Sequence, residues 1–315
     1  MAEKVVFIIN PYSGGGRCGR LWQRLERDAL AGLQGAEVVM TEREAHASEL
    51  ARMAIHHGAT RIIAIGGDGL LNEVVNGFYE DGHLLSCDTI LGVVPTGTGC
   101  DFARNLDLPT GPAQAVRFAL ESPAAYCDVG LVRFGIANGS GHKTVSRYFI
   151  NVADVGLGGA VATRVNRSGK RLGGKLSFIL STLQTLASYR PEAMELYVDG
   201  EFVPLGKQQL LIAVANGSYF GAGMCIGEQA RLDDGVFDIV AADRMGVIEL
   251  FSALLALHRG KTPKSPRIQH LRGRKVHIEC GKHVMAELDG EPCGGGPVSM
   301  TILPSQIRLA GLGCP

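Results

Sequence analysis

Three short segments hold most of the residues whose types and spacing could do chemistry: NPYSGGGR at 10–17, GGDGLLNE at 66–73 and PTGTGCDF at 95–102. Glycine lets backbone N–H groups approach an anion with no Cβ in the way, and a helix starting at the loop adds its positive end. Ser13, Thr96 and Thr98 supply hydroxyl donors. None of the segments matches GxxxxGK[ST], so the P-loop fingerprint is not met. Any one of them reads equally well as a tight turn, but the three together predict phosphate binding. Asp68 and Asp101 are out of place among amides meant for an anion unless a cation stands between. That points to a magnesium-bound polyphosphate, because Mg²⁺ is commonly shared between carboxylates and phosphates. A lone Asp after Gly-Gly also reads as a helix N-cap, and the two roles are compatible.

The elements that must position these segments alternate. KVVFIIN reads as a buried strand, RLWQRLERDALAGL as an amphipathic helix, AEVVMT as a strand, EAHASELARMAIHHG as a helix ending at Gly58, and RIIAIGG as a third strand. A helix from Leu70, the strand TILGVVP and short helices around DFARNL and GPAQAVRFALES continue the series, as in a parallel, doubly wound sheet. Each glycine segment then follows a strand, and the ligand crevice of such sheets lies beyond the carboxyl ends of the strands. After Pro123 strand-like runs dominate: YCDVGLVRF, RYFINVAD, AMELYVDGEFV, QLLIAVANG, VFDIVAAD, RKVHIEC and VSMTILP, with VDGE at 198–201 as a hairpin turn. Two helical stretches interrupt them. GGKLSFILSTLQTLASY puts Leu176, Ile179, Leu180 and Leu183 on one face, and GVIELFSALLALH is the other.

Across 315 residues, 46% hydrophobic and 20% charged is the balance of a soluble globular protein, and no apolar run reaches the roughly 18 residues a spanning helix needs. Zero formal net charge and a pI near 7.1 exclude any global attraction to nucleic acid. The opening MAEKVVFIIN is too short and too poorly flanked for a signal peptide, so the cytoplasm is expected. Cysteines at 18, 87, 100, 127, 225, 280, 293 and 314 form no CxxC or Cys/His cluster and read as reduced thiols. RVNRSGKRLGGK (164–175) and HRGKTPKSPR (258–267) are basic, and read either as contacts for an anionic surface or as solvated loops. Arg17 and Arg20 either reach a phosphate or begin a solvated helix face. Trp22 reads as core, and His56 and His57 as residues favoured at a helix end.

On these residues the chain resembles the diacylglycerol kinase family of lipid kinases, its soluble bacterial members most closely. The resemblance rests on NPYSG, GGDG with NEVVNG, and GTGCDFARNL in the first part, then FINVADVGLGG, ANGSYFGAGM, ARLDDGVFDIV and LDGEP in the second, in that order and nearly end to end. It implies an N-terminal α/β nucleotide domain similar to that of NAD kinases, residues 1–124, completed by 303–315 if QIRLAGLG returns to it. The remainder, 125–302, would be an all-β sandwich domain with helical insertions that takes the lipid. The implied activity is transfer of the γ-phosphate of ATP, with Mg²⁺, to a hydroxyl of a diacylglycerol-like lipid. The positions matching the family's ATP site are Asn10, Pro11, Tyr12, Ser13, Gly14, Thr41, Gly66, Gly67, Asp68, Gly69, Leu70, Leu71, Asn72 and Thr98. Glu291 of LDGEP matches the family's proton acceptor, with Asp289 beside it and Asp68 as the third catalytic candidate. A structural Mg²⁺ would use the side chain of Asp234 and the carbonyls of Arg231 and Val236, linked through waters to Asp68 and Asp101. The partners implied are a lipid and, peripherally, the anionic inner face of a membrane; a homodimer is left open and nucleic acid is not expected.

The chain departs from the family pattern at three places. Leu70 stands where Thr is usual, Cys100 where Asn is usual, and Glu228 where proline is. Leu70 removes a hydroxyl that could donate to phosphate or cap the helix, and sphingoid-base kinases also carry Leu there, so the lipid class stays open. DGE in LDGEP also reads as a plain hairpin turn, as VDGE does. Other readings are a sphingoid-base or other lipid kinase, a catalytically weak nucleotide- or lipid-binding regulator, and an NAD kinase, which shares GGDG but for which GTGCDFAR and LDGEP are unsuited.

Overall fold

The computed structural model describes residues 3–313 apart from 32, 34, 139–140, 169–183 and 187, with only the backbone at 136–138, 141–143 and 166–168. The chain divides into two units, Met1–Asp128 with Pro304–Pro315, and Val129–Leu303.

The first unit is built by strand–helix alternation: β1 (Val5–Ile9), α1 (Ser13–Leu30), β2 (Glu37–Met40), α2 (His46–His56), β3 (Arg61–Gly66) and α3 (Asp68–Gly77). A small hairpin of β4 (Tyr79–Glu80) and β5 (His83–Leu84) follows, then β6 (Ile90–Pro95), a 3-10 turn at Phe102–Asn105 and α4 (Pro112–Glu121). The strands lie in the order β6-β3-β1-β2, every neighbour parallel. All residues of β1 and β3 are buried, as strands covered by helices on both faces must be. On one face Phe7 meets Trp22 with ring centroids 5.2 Å apart, so Trp22 is core as expected. The chain end supplies a further strand, since Arg308 and Leu309 pair in parallel with Ile90 and Leu91.

The second unit is built from antiparallel pairs. Its strands are β7 (Ala124–Asn138), β8 (Gly141–Phe149), β9 (Val152–Gly156), β10 (Glu195–Val198), β11 (Glu201–Val203), β12 (Gln209–Ala215), β13 (Tyr219–Phe220), β14 (Met224–Cys225), β15 (Phe237–Asp243), β16 (Ile268–Gly273), β17 (Lys275–Glu279), β18 (Met285–Leu288), β19 (Glu291–Gly295) and β20 (Val298–Ala310), with helices α5 (Leu157–Ser168) and α6 (Val247–His258). One sheet runs β16-β15-β12-β9-β18-β19; the other runs β11-β10-β17-β20, with the β7–β8 hairpin alongside β20. Their inner faces share one core, in which Leu196 and Ile278 of one sheet join Ile212, Val214 and Leu288 of the other, and Phe149 stacks on Phe237 at 5.6 Å. This is the β-sandwich expected from the alternating runs.

The helical stretch GVIELFSALLALH forms α6, whereas Leu176, Ile179, Leu180 and Leu183 lie outside the described residues. Strands β16, β18 and β19 are absent from the runs that the sequence pattern predicts. IQHLRG, MAEL and EPCGG are too short or too polar to show an apolar period, and pairing with neighbours makes them strands. Among the described residues, no helix is long and apolar enough to cross a membrane.

Candidate active site

The three glycine segments meet at the carboxyl ends of β1, β3 and β6. Backbone hydrogen bonds tie them there: the N–H of Asn10 donates to Ile65 O at 3.1 Å, and the N–H groups of Thr96 and Gly97 donate to Gly66 O at 2.8 and 3.2 Å. The contacts are close enough to demand glycine. A Cβ on Gly97 would fall 2.6 Å from Gly67 Cα, and one on Gly14 would fall 2.5 Å from Thr96 O. Gly14, Gly15 and Gly16 also take φ of 61°, 70° and 80°, left-handed values that side chains resist. The first turn of α1 is therefore a glycine loop rather than helix. Arg17 folds back onto it, donating from Nε to Gly14 O at 3.0 Å, and Arg20 Nη1 stands 3.4 Å from where a Gly16 Cβ would be. Of the two readings of these arginines, the side chains lie over the loop.

Asp68 opens α3 directly after Gly67. Its carboxylate accepts the N–H groups of Asp101 and Phe102, both at 3.1 Å, and so holds the third segment against the second. Burial pushes the Asp68 carboxyl above its ordinary range, while those amides act in the opposite direction. A Cβ on Gly99 would fall 3.3 Å from Asp68 Oδ2 and 3.7 Å from Asp101 Oδ2, so the two carboxylates flank one point. Arg104 Nε lies 3.5 Å from the other Asp101 oxygen.

The expected ATP positions are not equally placed. Asn10, Pro11, Ser13, Gly14, Gly66 to Gly69 and Thr98 lie in or beside the three converging loops, and Tyr12 is bare to solvent. Thr41 follows β2 with its N–H on Ile9 O at 2.8 Å, its side chain buried next to the first loop's strand. Leu70, Leu71 and Asn72 point inward: Leu71 N–H is spent on Gly67 O, and Asn72 is bonded by Asn76 Nδ2. Leu70 packs against Gly66 beneath the loop, so its side chain belongs to the core. Cys100 takes a left-handed φ of 50°, and burial with the nearby Asp68 charge pushes its thiol up to about 12.

In the second unit, LDGE closes the β18–β19 hairpin. Leu288 pairs with Glu291, and Asp289 and Gly290 have φ of 51° and 87°, the two positive values of a type I′ turn. Asp289 is buried and accepts the N–H groups of Ile150, Asn151 and Val152 at 3.0, 2.9 and 3.1 Å. VDGE is built the same way, Asp199 accepting from Arg274 and Lys275 at 2.9 and 2.8 Å. The two hairpins differ at the glutamate after the turn, because Glu201 is exposed whereas Glu291 is half-buried.

One acidic pair is absent from the sequence reading. Asp154 of β9 faces Glu287 of β18 in register, and both are buried in the core. Burial pushes Asp154 up to about 7 and Glu287 well above its ordinary value, so the pair retains a proton at neutral pH. A signal for it exists: one acid in each of two otherwise apolar strands, VADVG and MAEL.

At the expected structural metal position, Asp234 accepts the Val236 N–H at 3.3 Å and pairs with Arg272, while Arg231 pairs with Asp233 at 3.2 Å. Arg272 is thus the neighbour of any cation held at Asp234.

Residues 4–132 match the model of the diacylglycerol kinase catalytic domain, and 151–311 that of the YegS C-terminal NAD kinase beta sandwich-like domain. The chain belongs to the diacylglycerol kinase family. With the family come phosphotransferase chemistry and the two-domain architecture, an α/β part and a β-sandwich. A protein of Chromohalobacter salexigens described as "Probable lipid kinase YegS-like" is 31% identical over 83% of this chain and 79% of its own. A diacylglycerol kinase of Staphylococcus saprophyticus is 27% identical over 98% and 95%. A crystal structure of a diacylglycerol kinase from Bacillus anthracis superposes with a TM-score of 0.70 at 20% identity, over 98% of this chain and 97% of that one, and shares the fold.

The donors fit Mg²⁺ in one respect: they are carboxylate oxygens, the ligands of a hard cation. Among the described residues no three His, Cys, Asp or Glu gather into a metal cage. Asp68 and Asp101 are the carboxylates that would hold such an ion beside the loops.

Proposed function

We propose that this member of the diacylglycerol kinase family transfers the γ-phosphate of ATP to a hydroxyl of a diacylglycerol-like lipid. The observation that carries this is the convergence of three glycine loops at one sheet end, with Arg17 and Arg20 over the first and the Asp68 and Asp101 carboxylates beside the third. Phosphoryl transfer asks mainly for positioning and charge neutralisation. The loop amides and the two guanidiniums take up phosphate charge, and Tyr12 offers a bare ring beside them. Mg²⁺, when bound, neutralises charge on the transferring phosphates. Glu291 takes the proton of the attacking lipid hydroxyl, whose oxygen bonds to the γ-phosphorus as the bond to the leaving ADP oxygen breaks. Asp289 acts as a positioning residue, since its three amide bonds seat the turn from which Glu291 projects. The lipid comes from a bilayer, so the protein works peripherally at the anionic inner face of the membrane.

The test is transfer of labelled γ-phosphate from Mg-ATP to detergent-dispersed diacylglycerol, monoacylglycerol, phosphatidylglycerol, sphingosine and ceramide. Glu291→Gln should lower the rate on the accepted lipid by roughly 10²–10⁴-fold with ATP binding unchanged. ATP binding with no product on any lipid would reject the proposal and leave a binding protein.

A further inference from the structure

Helix α6 is apolar on both faces and covered on one. Leu257 packs into a cluster with Ala213 and Val240 of the sheet beneath, and Leu250 packs beside Leu157 and Leu210. On the opposite side Val247, Ile248, Phe251 and Leu255 are 84%, 88%, 70% and 41% exposed. At 100° per residue these four share one stripe. A helix apolar all round needs a second cover, and a bare contiguous stripe of this kind marks an interaction site.

Charge indicates the cover. The only acid on α6, Glu249, is neutralised by Arg267 at 3.3 Å and accepts from Ser265 at 2.5 Å. Glu228, the acid near the following loop, is bonded by Thr262. Arg259, Lys261 and Lys264 are exposed, and among the described residues no ion pair is formed by any of them. The loop that carries them runs back beside the helix, since Pro263 and Lys264 line the same cleft, about 620 Å³, as Val247 and Ile248. Cations thus stand at both ends of the apolar stripe on a chain of zero net charge. In the other basic stretch Arg164 donates to Thr185 and Ser188, and residues 169–175 lie outside the described residues.

We infer that α6 is the membrane-docking element: it lies in the plane of an anionic bilayer, with Ile248 and Phe251 in the acyl boundary and Arg259, Lys261 and Lys264 on the lipid phosphates. A bare apolar helix face flanked by loop cations is held at such a surface by its buried apolar area and by attraction of the cations to anionic lipid. The choice of a bilayer over another protein rests on the lipid-kinase reading.

The full chain is sedimented with vesicles of phosphatidylcholine alone or with 30% phosphatidylglycerol, without ATP or substrate. Binding should require the anionic lipid and weaken with salt. Ile248→Ser with Phe251→Ser should lower binding at least tenfold, and Lys261→Gln with Lys264→Gln roughly 10- to 30-fold, each cation near the surface being worth about fivefold. Both double variants should keep the wild-type melting temperature and the wild-type rate on a short-chain lipid below its micelle concentration. Unchanged vesicle binding in either variant overturns the inference, as does a wild-type dimer that Phe251→Ser converts to a monomer with vesicle binding intact. Vesicle binding through α6 with no phosphorylation of any lipid would sustain the inference and reject the kinase reading.

Discussion

Cys100 occupies a position that a cysteine fits poorly. Its φ of 50° is one that Asn tolerates better than other side chains, and its thiol sits protonated beside the Asp68 carboxylate. Cys100→Asn should therefore stabilise the protein by about 1 kcal/mol, seen as a melting temperature raised by roughly 2 °C. An unchanged or lower melting temperature would show that the loop does not hold that conformation. Residue by residue, the family-like motifs divide into chemistry and construction. In GGDGLLNE the glycines and Asp68 face the loops, while Glu73 accepts the Ala45 and Ala47 N–H groups, both at 3.0 Å, and so caps α2. Asn151 and Asn216 are likewise constructional, donating to Tyr219 O and Ile150 O. None of this division is visible in the letters, because a side chain's partner lies tens of residues away.

At the scale of elements, the two Asp-Gly hairpins form a natural comparison. Both are legible as turns, since Asp-Gly supplies the two positive φ values a two-residue hairpin needs. Asp289→Ala strips its acceptors from buried backbone N–H groups and should cost about 1–3 kcal/mol in urea unfolding, whereas Asp199→Ala frees N–H groups that water can reach and should cost less. Only Asp289→Ala should also reduce phosphate transfer, because only that turn carries Glu291. Equal activity losses in both would mean that transfer follows global stability and not the β18–β19 turn. The alternating strands and helices of the first unit are legible because their periods are strong. The short strands β16, β18 and β19 are not, because pairing partners rather than periodicity make them strands.

At the scale of the whole molecule, stability should depend on pH through the buried pair. Asp154 titrates near 7 in the fold against an ordinary 3.8, and Glu287 is raised as well. Below about pH 4 both folded and unfolded chains hold these protons and the contribution to stability is complete. As pH rises toward 7 the unfolded chain releases them while the fold does not, so stability is lost across that window. Asp154→Asn should flatten the fall in melting temperature between pH 4 and 7, and an unaltered slope would place the effect elsewhere. By itself the sequence determined the order and kind of most elements, the glycine turns at the ends of β1, β3 and β6, and the family, because these depend on spacing and on residues that are neighbours along the chain. Tertiary structure alone decided that Gly67 touches Gly97, that Leu70 and Asn72 face the core, that Asp154 and Glu287 are buried face to face, and that one face of α6 is left bare. Those outcomes are set by contacts between residues far apart in sequence, where burial and the partner already taken determine what a side chain can still do.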